Sequence, residues 1–260
     1  MDAWRFGFVF VGGSVLVGIL GMILVRSIVR WSALKHHHGV AGGMMPVIGT
    51  LYAVLLGLVI VETQHTYQQA RMMAATEANA AADIFRVAYA LPNEQRRNLH
   101  KLLSEYVNTV INDEWNSAEK GSFNEHTDST LAQLWWTVID FNPKTLRDQS
   151  NYQNILNQLQ SLCDSRRFRF VVARHGISPV LWGVLIAGGV LTVLFSYFFG
   201  VERLSNQIIM TTLFTLLLAL NVMLVALFNN PYRGEMKVKP EAFVYNQQIF
   251  QRLLSDRPDN

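Results

Sequence analysis

The stretch Met44–His65, MMPVIGTLYAVLLGLVIVETQH, decides how the rest of the chain is read. Its first eighteen residues, Met44–Val61, carry no charge, and a helix of about that length crosses a ~30 Å hydrocarbon layer. Gly49, Ala53 and Gly57 recur every four residues. That spacing puts them on one helix face, small enough for another backbone to pack closely. Roughly 200° round the helix, at about 100° per residue, Leu51, Leu55 and Val59 form a stripe without a polar atom. The apolar run ends in Glu62-Thr63-Gln64-His65. A close-packed face, an apolar stripe and a polar mouth suit a pore-lining helix. The same stripe also suits a helix facing lipid, and the residues alone leave both readings open.

Outward from this stretch, three more uncharged segments of spanning length follow the same logic, at about residues 6–25, 180–199 and 208–228. Half the 260 residues are hydrophobic and 16% are charged, with a polar middle between the apolar ends. The chain reads as an integral membrane protein, with the bilayer as its first partner. The start MDAWRFGF lacks the basic region of a cleaved signal, so the first span is expected to be a retained anchor. One cysteine, Cys163, excludes an internal disulfide framework, and its neighbours Leu159 and Leu162 suggest a buried thiol. The net charge of +3 gives no reason to invoke nucleic acid.

Four spans place both termini and the middle segment on one side. Near the membrane that side carries Arg5, Arg71, Arg166, Arg167, Arg169, Arg174, Arg233, Lys237 and Lys239, against Arg26, Arg30, Lys35 and Arg203 opposite. The excess predicts cytoplasmic termini. The expected organisation is a first span pair in residues 1–61, a cytoplasmic helical domain in 62–179, a second pair in 180–228 and a tail in 229–260 with a short amphipathic helix.

The first loop, about Arg26–Gly43, holds His36, His37 and His38. Three consecutive side chains diverge on any regular backbone, which favours a solvated, pH-sensitive loop over a metal site. Beyond Glu62 the chain continues without Gly or Pro to Ala90, rich in Ala, Met, Gln and Glu. With the second span it is expected to form one rod of about 45 residues, roughly 65 Å long. Ala74, Ala75, Ala78, Ala81, Ala82 and Ala88 make that rod slim. Apolar residues at steps of three and four predict helices over Asn93–Trp115, Asp128–Ile139 and Thr145–Val172, the second burying Leu131, Leu134, Trp135, Val138 and Ile139. Ser178-Pro179 reads as cap and first turn of the third span. Asn221 in the fourth span is expected to find an interhelical partner. Asp113 and Glu114 are expected on solvated faces or beside helix partners.

Several motifs then converge. Gly49–Gly57 (GTLYAVLLG), Ala70, Glu77-Ala78, Leu91-Pro92, Tyr106, Glu114-Trp115 and the tail Asn230-Pro231-Tyr232-Arg233-Gly234 with Val238–Phe243 resemble a bacterial bestrophin-like family. The tail looks like its Asp-x-Pro-Phe-x-Gly element, with Asn229 replacing Asp and Tyr232 replacing Phe. The resemblance covers about residues 45–245. It implies an all-α fold of four transmembrane helices with an all-helical cytoplasmic domain inserted between spans two and three. It also implies a homo-oligomer, a pentamer by kinship to bestrophins, in the bacterial inner membrane, whose second span lines an ion pore.

Against that background the candidate pore-lining residues are Leu51, Leu55, Val59 and Glu62, with Gly49, Ala53 and Gly57 for helix packing. A ring of Glu62 carboxylates leans the expectation toward cations. Glu62 and His65 also have di-metal spacing, but the second such motif that a bundle site needs is missing, so no metal is assigned. No phosphate loop, nucleophile elbow or zinc-protease motif is present; no catalytic residue and no cofactor are expected. The alternative class is a non-conducting scaffold or sensor whose helices bind a protein partner.

Overall fold

The structure is a computed structural model that describes residues 3–28, 38–118, 122–174, 176–198, 203–234 and 236–257. His36 and His37, with Arg30 and Lys35 of the same first loop, lie outside that description, and so do the expectations placed on them. Among the described residues the structure is all helical, without a strand. The elements are α1 (Ala3–Ile28), α2 (His38–Ala88), α3 (Asn93–Thr109), a π-helical turn (Val110–Glu114), α4 (Trp115–Ala118), α5 (Glu125–Ile139), α6 (Leu146–Arg174), α7 (Pro179–Ser196), α8 (Leu204–Phe228) and α9 (Glu241–Asp256). Four helices are long and apolar enough to cross a membrane: α1, α2, α7 and α8.

The expected rod is real and longer than its apolar core. α2 runs 51 residues, starting at His38 and passing through Pro46. The first loop is correspondingly shorter than Arg26–Gly43, because α1 continues to Ile28. Pro46 has no N–H and gives up one rung of the helix ladder, to the carbonyl four residues earlier.

By contact the chain divides into two units: Met1–His65 with Gly176–Asn230 and Gly234–Met236, and Thr66–His175 with Pro231–Arg233 and Lys237–Asn260. In the membrane unit α1 runs antiparallel to α8. Gly18 faces Thr215, where an added Cβ would come within 2.8 Å of the hydroxyl, and the Arg26 guanidinium donates to the Gln207 side chain. Tyr52 of α2 lies over Gly188 and Gly189, and a Cβ at Gly188 would stand 2.8 Å from its ring. Its hydroxyl donates to the Leu185 carbonyl at 3.0 Å. Where lipid removes the hydrophobic drive between helices, such close fits supply the packing energy. As the sequence predicts, the Ser178 hydroxyl caps α7 by accepting from the Leu181 amide. Asn221 differs from expectation: its amide donates to Leu217 of its own helix at 2.8 Å.

The second unit is a helical bundle around the lower half of α2, whose Ala70, Ala74, Ala78, Ala81 and Ala88 are buried. α5 starts at Glu125, earlier than the apolar pattern implies, because Asn124 accepts from the Thr127 amide as its N-cap. Ile139 is exposed, unlike its neighbour Val138. Thr145 and Asp148 close a reciprocal capping box ahead of α6. α9 docks within this bundle: Phe243, Asn246 and Phe250 are buried, and the Phe250 ring stacks on Phe85 at 4.0 Å.

Candidate functional site

The membrane half of α2 has two faces. Tyr52, Leu56 and Val59 are buried against α7 and α8 of the same chain, and Thr63, next in the same register, is buried too. Val47, Leu51, Val54, Leu58 and Val61 stand exposed. Both sets advance by alternating steps of four and three, a period near 3.5 that keeps a stripe parallel to the helix axis. The Leu51–Leu55–Val59 stripe advances by four and so drifts round the helix. Leu51 is 68% exposed and Val59 only 4%, with Leu55 between them. Val59 belongs to the chain's own packing and Leu58, 65% exposed, takes the outward position.

Glu62 and His65 extend the outward face into polar chemistry. A Cβ added at Gly49 or Gly57 would meet nothing within 4 Å among the described residues, and Ala53 is exposed. The small-residue face is thus unused by the chain's own described helices. Past the membrane half, the exposed positions on α2 are mostly polar: Gln68, Arg71, Thr76 and Asn79, with Met72 among them. Among the described residues no group of three His, Cys, Asp or Glu is placed to hold a metal ion.

A second constellation lies inside the bundle. Glu77 of α2 and Glu114 at the end of the π turn are both fully buried. Arg169 of α6 donates to both Glu77 oxygens at 2.8 and 2.9 Å and to Glu114 at 2.6 Å. Arg166, one turn earlier, grips Glu114 through Nε at 3.0 and 3.1 Å and reaches Asp128 at 2.6 Å. The Tyr106 hydroxyl donates to Glu77 at 2.8 Å, and the Arg169 guanidinium lies 5.0 Å from the Trp115 ring centre. The wider π turn shifts the helix register, so that Val110, Glu114 and Trp115 all point inward. Burial opposes the Arg169 charge, but Glu77 and Glu114 outweigh it and hold its pKa above the usual range. Burial and the same carboxylates push the Tyr106 phenol up.

These residues meet one expectation and correct another. Glu114 lies beside helix partners, Arg166 and Arg169 of α6, while Asp113 is exposed. Arg166 and Arg169 are neutralised inside the bundle, so they drop out of the juxtamembrane charge excess. The signal was present: Ile155, Leu159 and Leu162 are buried on α6, and Arg166 and Arg169 continue their register. Cys163 is half-buried and accepts from the Trp135 indole at 3.1 Å.

Apart from Gly49–Gly57 in the membrane unit, the family motifs fall on or beside this interior. Tyr232 of the tail donates to the Ala70 carbonyl at 3.2 Å, and the Trp115 indole donates to Val238 at 2.9 Å. The motif therefore marks what holds the bundle together. A model of the bestrophin-like domain matches residues 12–243. Among solved structures, a point variant of a bacterial bestrophin homologue from Klebsiella pneumoniae aligns at 13% identity, over 94% of this chain and 98% of its own, with a TM-score of 0.69. A variant described as a membrane protein aligns at 15% identity, over 94% and 97%, with a TM-score of 0.70. The same Klebsiella homologue phased on zinc gives 13%, 93% and 96%, and 0.65. No curated protein matches by sequence. With the domain model spanning nearly the whole chain and the four-span helical fold shared end to end, the chain belongs to the bestrophin-like family.

Proposed function

We propose that the protein is an oligomeric ion channel of the bacterial inner membrane, a pentamer by kinship, with cytoplasmic termini and the inserted helices as its cytoplasmic domain. The observation that carries the proposal is the outward face of α2. Leu51 and Leu58 with Val47, Val54 and Val61 present an apolar stripe that the chain's described helices leave uncovered, and Glu62 follows directly. Set round a common axis, such stripes form an apolar constriction that dewets when closed. Glu62 rings at its inner mouth favour cations. Gly49, Ala53 and Gly57, unused within the described chain, suit contact with the neighbouring copy.

The test is ion flux from purified protein in liposomes. The proposal expects an oligomeric ring, measurable flux, and higher resting flux in Leu51→Ser and Leu58→Ser, with Leu55→Ala also changing it. A ring that passes no ions in any of these forms removes the channel. The exposed Trp136, Ile139 and Leu146 favour the second reading, a non-conducting scaffold whose bundle binds a protein. A monomer or dimer in mild detergent, without a central hole in particle images, supports that reading instead.

A further inference from the structure

α8 ends at Phe228, and residues 231–239 then form a closed loop. The Val238 amide donates to the Pro231 carbonyl at 2.8 Å and shuts its neck. Gly234, at φ +84°, makes a reversal that a side chain would resist. Two inward residues fix the loop: Tyr232 donates to the Ala70 carbonyl, and the Val238 carbonyl accepts from the Trp115 indole. The outward residues are of another kind. Arg233 and Lys239 are exposed, Lys237 is half-buried, and Met236 is 47% exposed. From position 233 to 239 the sequence sets these three basic residues against one acid, Glu235.

Short tethers set the level of the loop. Asn229 accepts from the Ile177 amide at 2.7 Å, and a Cβ at Gly176 would stand 2.8 Å from the same oxygen. The end of α8 is thereby pinned beside the start of α7, and both helices are apolar enough to cross a membrane. Arg233 follows Phe228 by five residues, a reach of at most about 17 Å when fully extended, and the turn shortens it. The headgroup layer adds roughly 6 Å beyond the hydrocarbon, and the field of a charged surface reaches about 8 Å further at physiological salt. By contact the tip, Gly234–Met236, groups with the membrane helices.

A soluble phosphate would account for the cations and not for Met236, an apolar side chain carried among them. A membrane surface accounts for both. The thioether enters the boundary between headgroups and acyl chains, and Lys and Arg stems lie along apolar surface with their charges at the phosphates. Each basic residue beside an anionic surface is worth about five-fold in affinity.

We propose that the loop at residues 231–239 binds the phosphate of an anionic phospholipid, with Arg233, Lys237 and Lys239 at the headgroup and Met236 at the acyl boundary. The site does not depend on conduction by the protein.

The test reconstitutes the purified protein in phosphatidylcholine liposomes with a trace of phosphatidylglycerol that carries a diazirine near the head of its acyl chain. Mass spectrometry then maps the label. It is expected to cluster on residues 231–240, roughly five-fold or more above the label left by a phosphatidylcholine probe of the same chain. That ratio should shrink between about 50 mM and about 1 M salt. Arg233→Gln with Lys239→Gln should bring the ratio toward one at an unchanged melting temperature, and Lys239→Gln alone should remove part of it. Lys144→Gln with Arg147→Gln, both exposed on the bundle, should leave it as it was. Met236→Ser should lower the loop label from both probes. Equal labelling by the two probes, or a ratio unchanged in the Arg233 and Lys239 variants, overturns the headgroup contact. Unchanged labelling in Met236→Ser overturns the apolar contact. Competition by millimolar glycerol phosphate as effective as that by unlabelled phosphatidylglycerol assigns the loop to a soluble phosphate and overturns the membrane as its partner.

Discussion

At the scale of single residues, Arg169 bears the largest electrostatic responsibility. It is fully buried between two fully buried carboxylates, and removing one partner of such a set strands the others without counter-charge. Arg169→Met should destabilise the bundle by about 3–5 kcal/mol, the usual cost of breaking a buried ion pair. Thermal unfolding in detergent measures it, and the double variant with Glu77→Gln should recover part of the loss, because one stranded charge is gone. An additive double variant would show that Arg169 and Glu77 do not act as a pair. Cys163, the chain's one cysteine, offers a pH-dependent check nearby. Burial pushes its thiol up, with the Trp135 indole opposing. Since the thiolate is the nucleophile, its fraction at neutral pH lies below that of a free cysteine and grows only at higher pH. Maleimide labelling should therefore be slow at pH 7 and reach its half-maximal rate at a higher pH than free cysteine does. Labelling as fast as a free thiol at pH 7 would contradict the burial.

At the scale of elements, helices and their ends were legible because periodicity and capping are local. Ser178-Pro179 announces α7, and the Gly-free run after Glu62 announces a continuous α2. Which side of a membrane helix packs was not legible, for a physical reason. Lipid is as apolar as leucine, so hydrophobicity cannot separate a lipid-facing stripe from a packed one. Leu58 and Val59 are adjacent and chemically alike, yet one is exposed and the other buried, about 100° apart round α2. The inward turn of Glu114 was hidden for another reason: a π turn changes the register without a composition signal. The Leu58–Val59 contrast can be tested directly. Val59→Ala should cost about 1–2 kcal/mol in detergent stability, because in lipid the cavity term outlasts the transfer term. Leu58→Ala, at an exposed position, should leave the melting temperature of the separated subunit unchanged and alter flux. If the two variants melt alike, the faces of α2 have been misassigned.

At the scale of the whole molecule, the proposed channel would turn on charge at one position repeated by symmetry. A single exposed Glu62 exerts little influence on an ion more than a Debye length away, about 8 Å at physiological salt. Several copies around a narrow mouth superpose their fields in a space walled by low-dielectric protein, which strengthens them. Selectivity should then depend on both the carboxylate and the salt. Under a KCl gradient across a planar bilayer, the reversal potential of the unaltered protein should report a cation preference. Glu62→Gln should move it toward zero, and the shift should be larger at about 20 mM salt, where the Debye length is over 20 Å, than at about 1 M, where it is near 3 Å. A reversal potential indifferent to Glu62→Gln at low salt would mean that these carboxylates do not face the conducting path, and the selectivity would then have to come from the polar positions further along α2, beginning at Gln68.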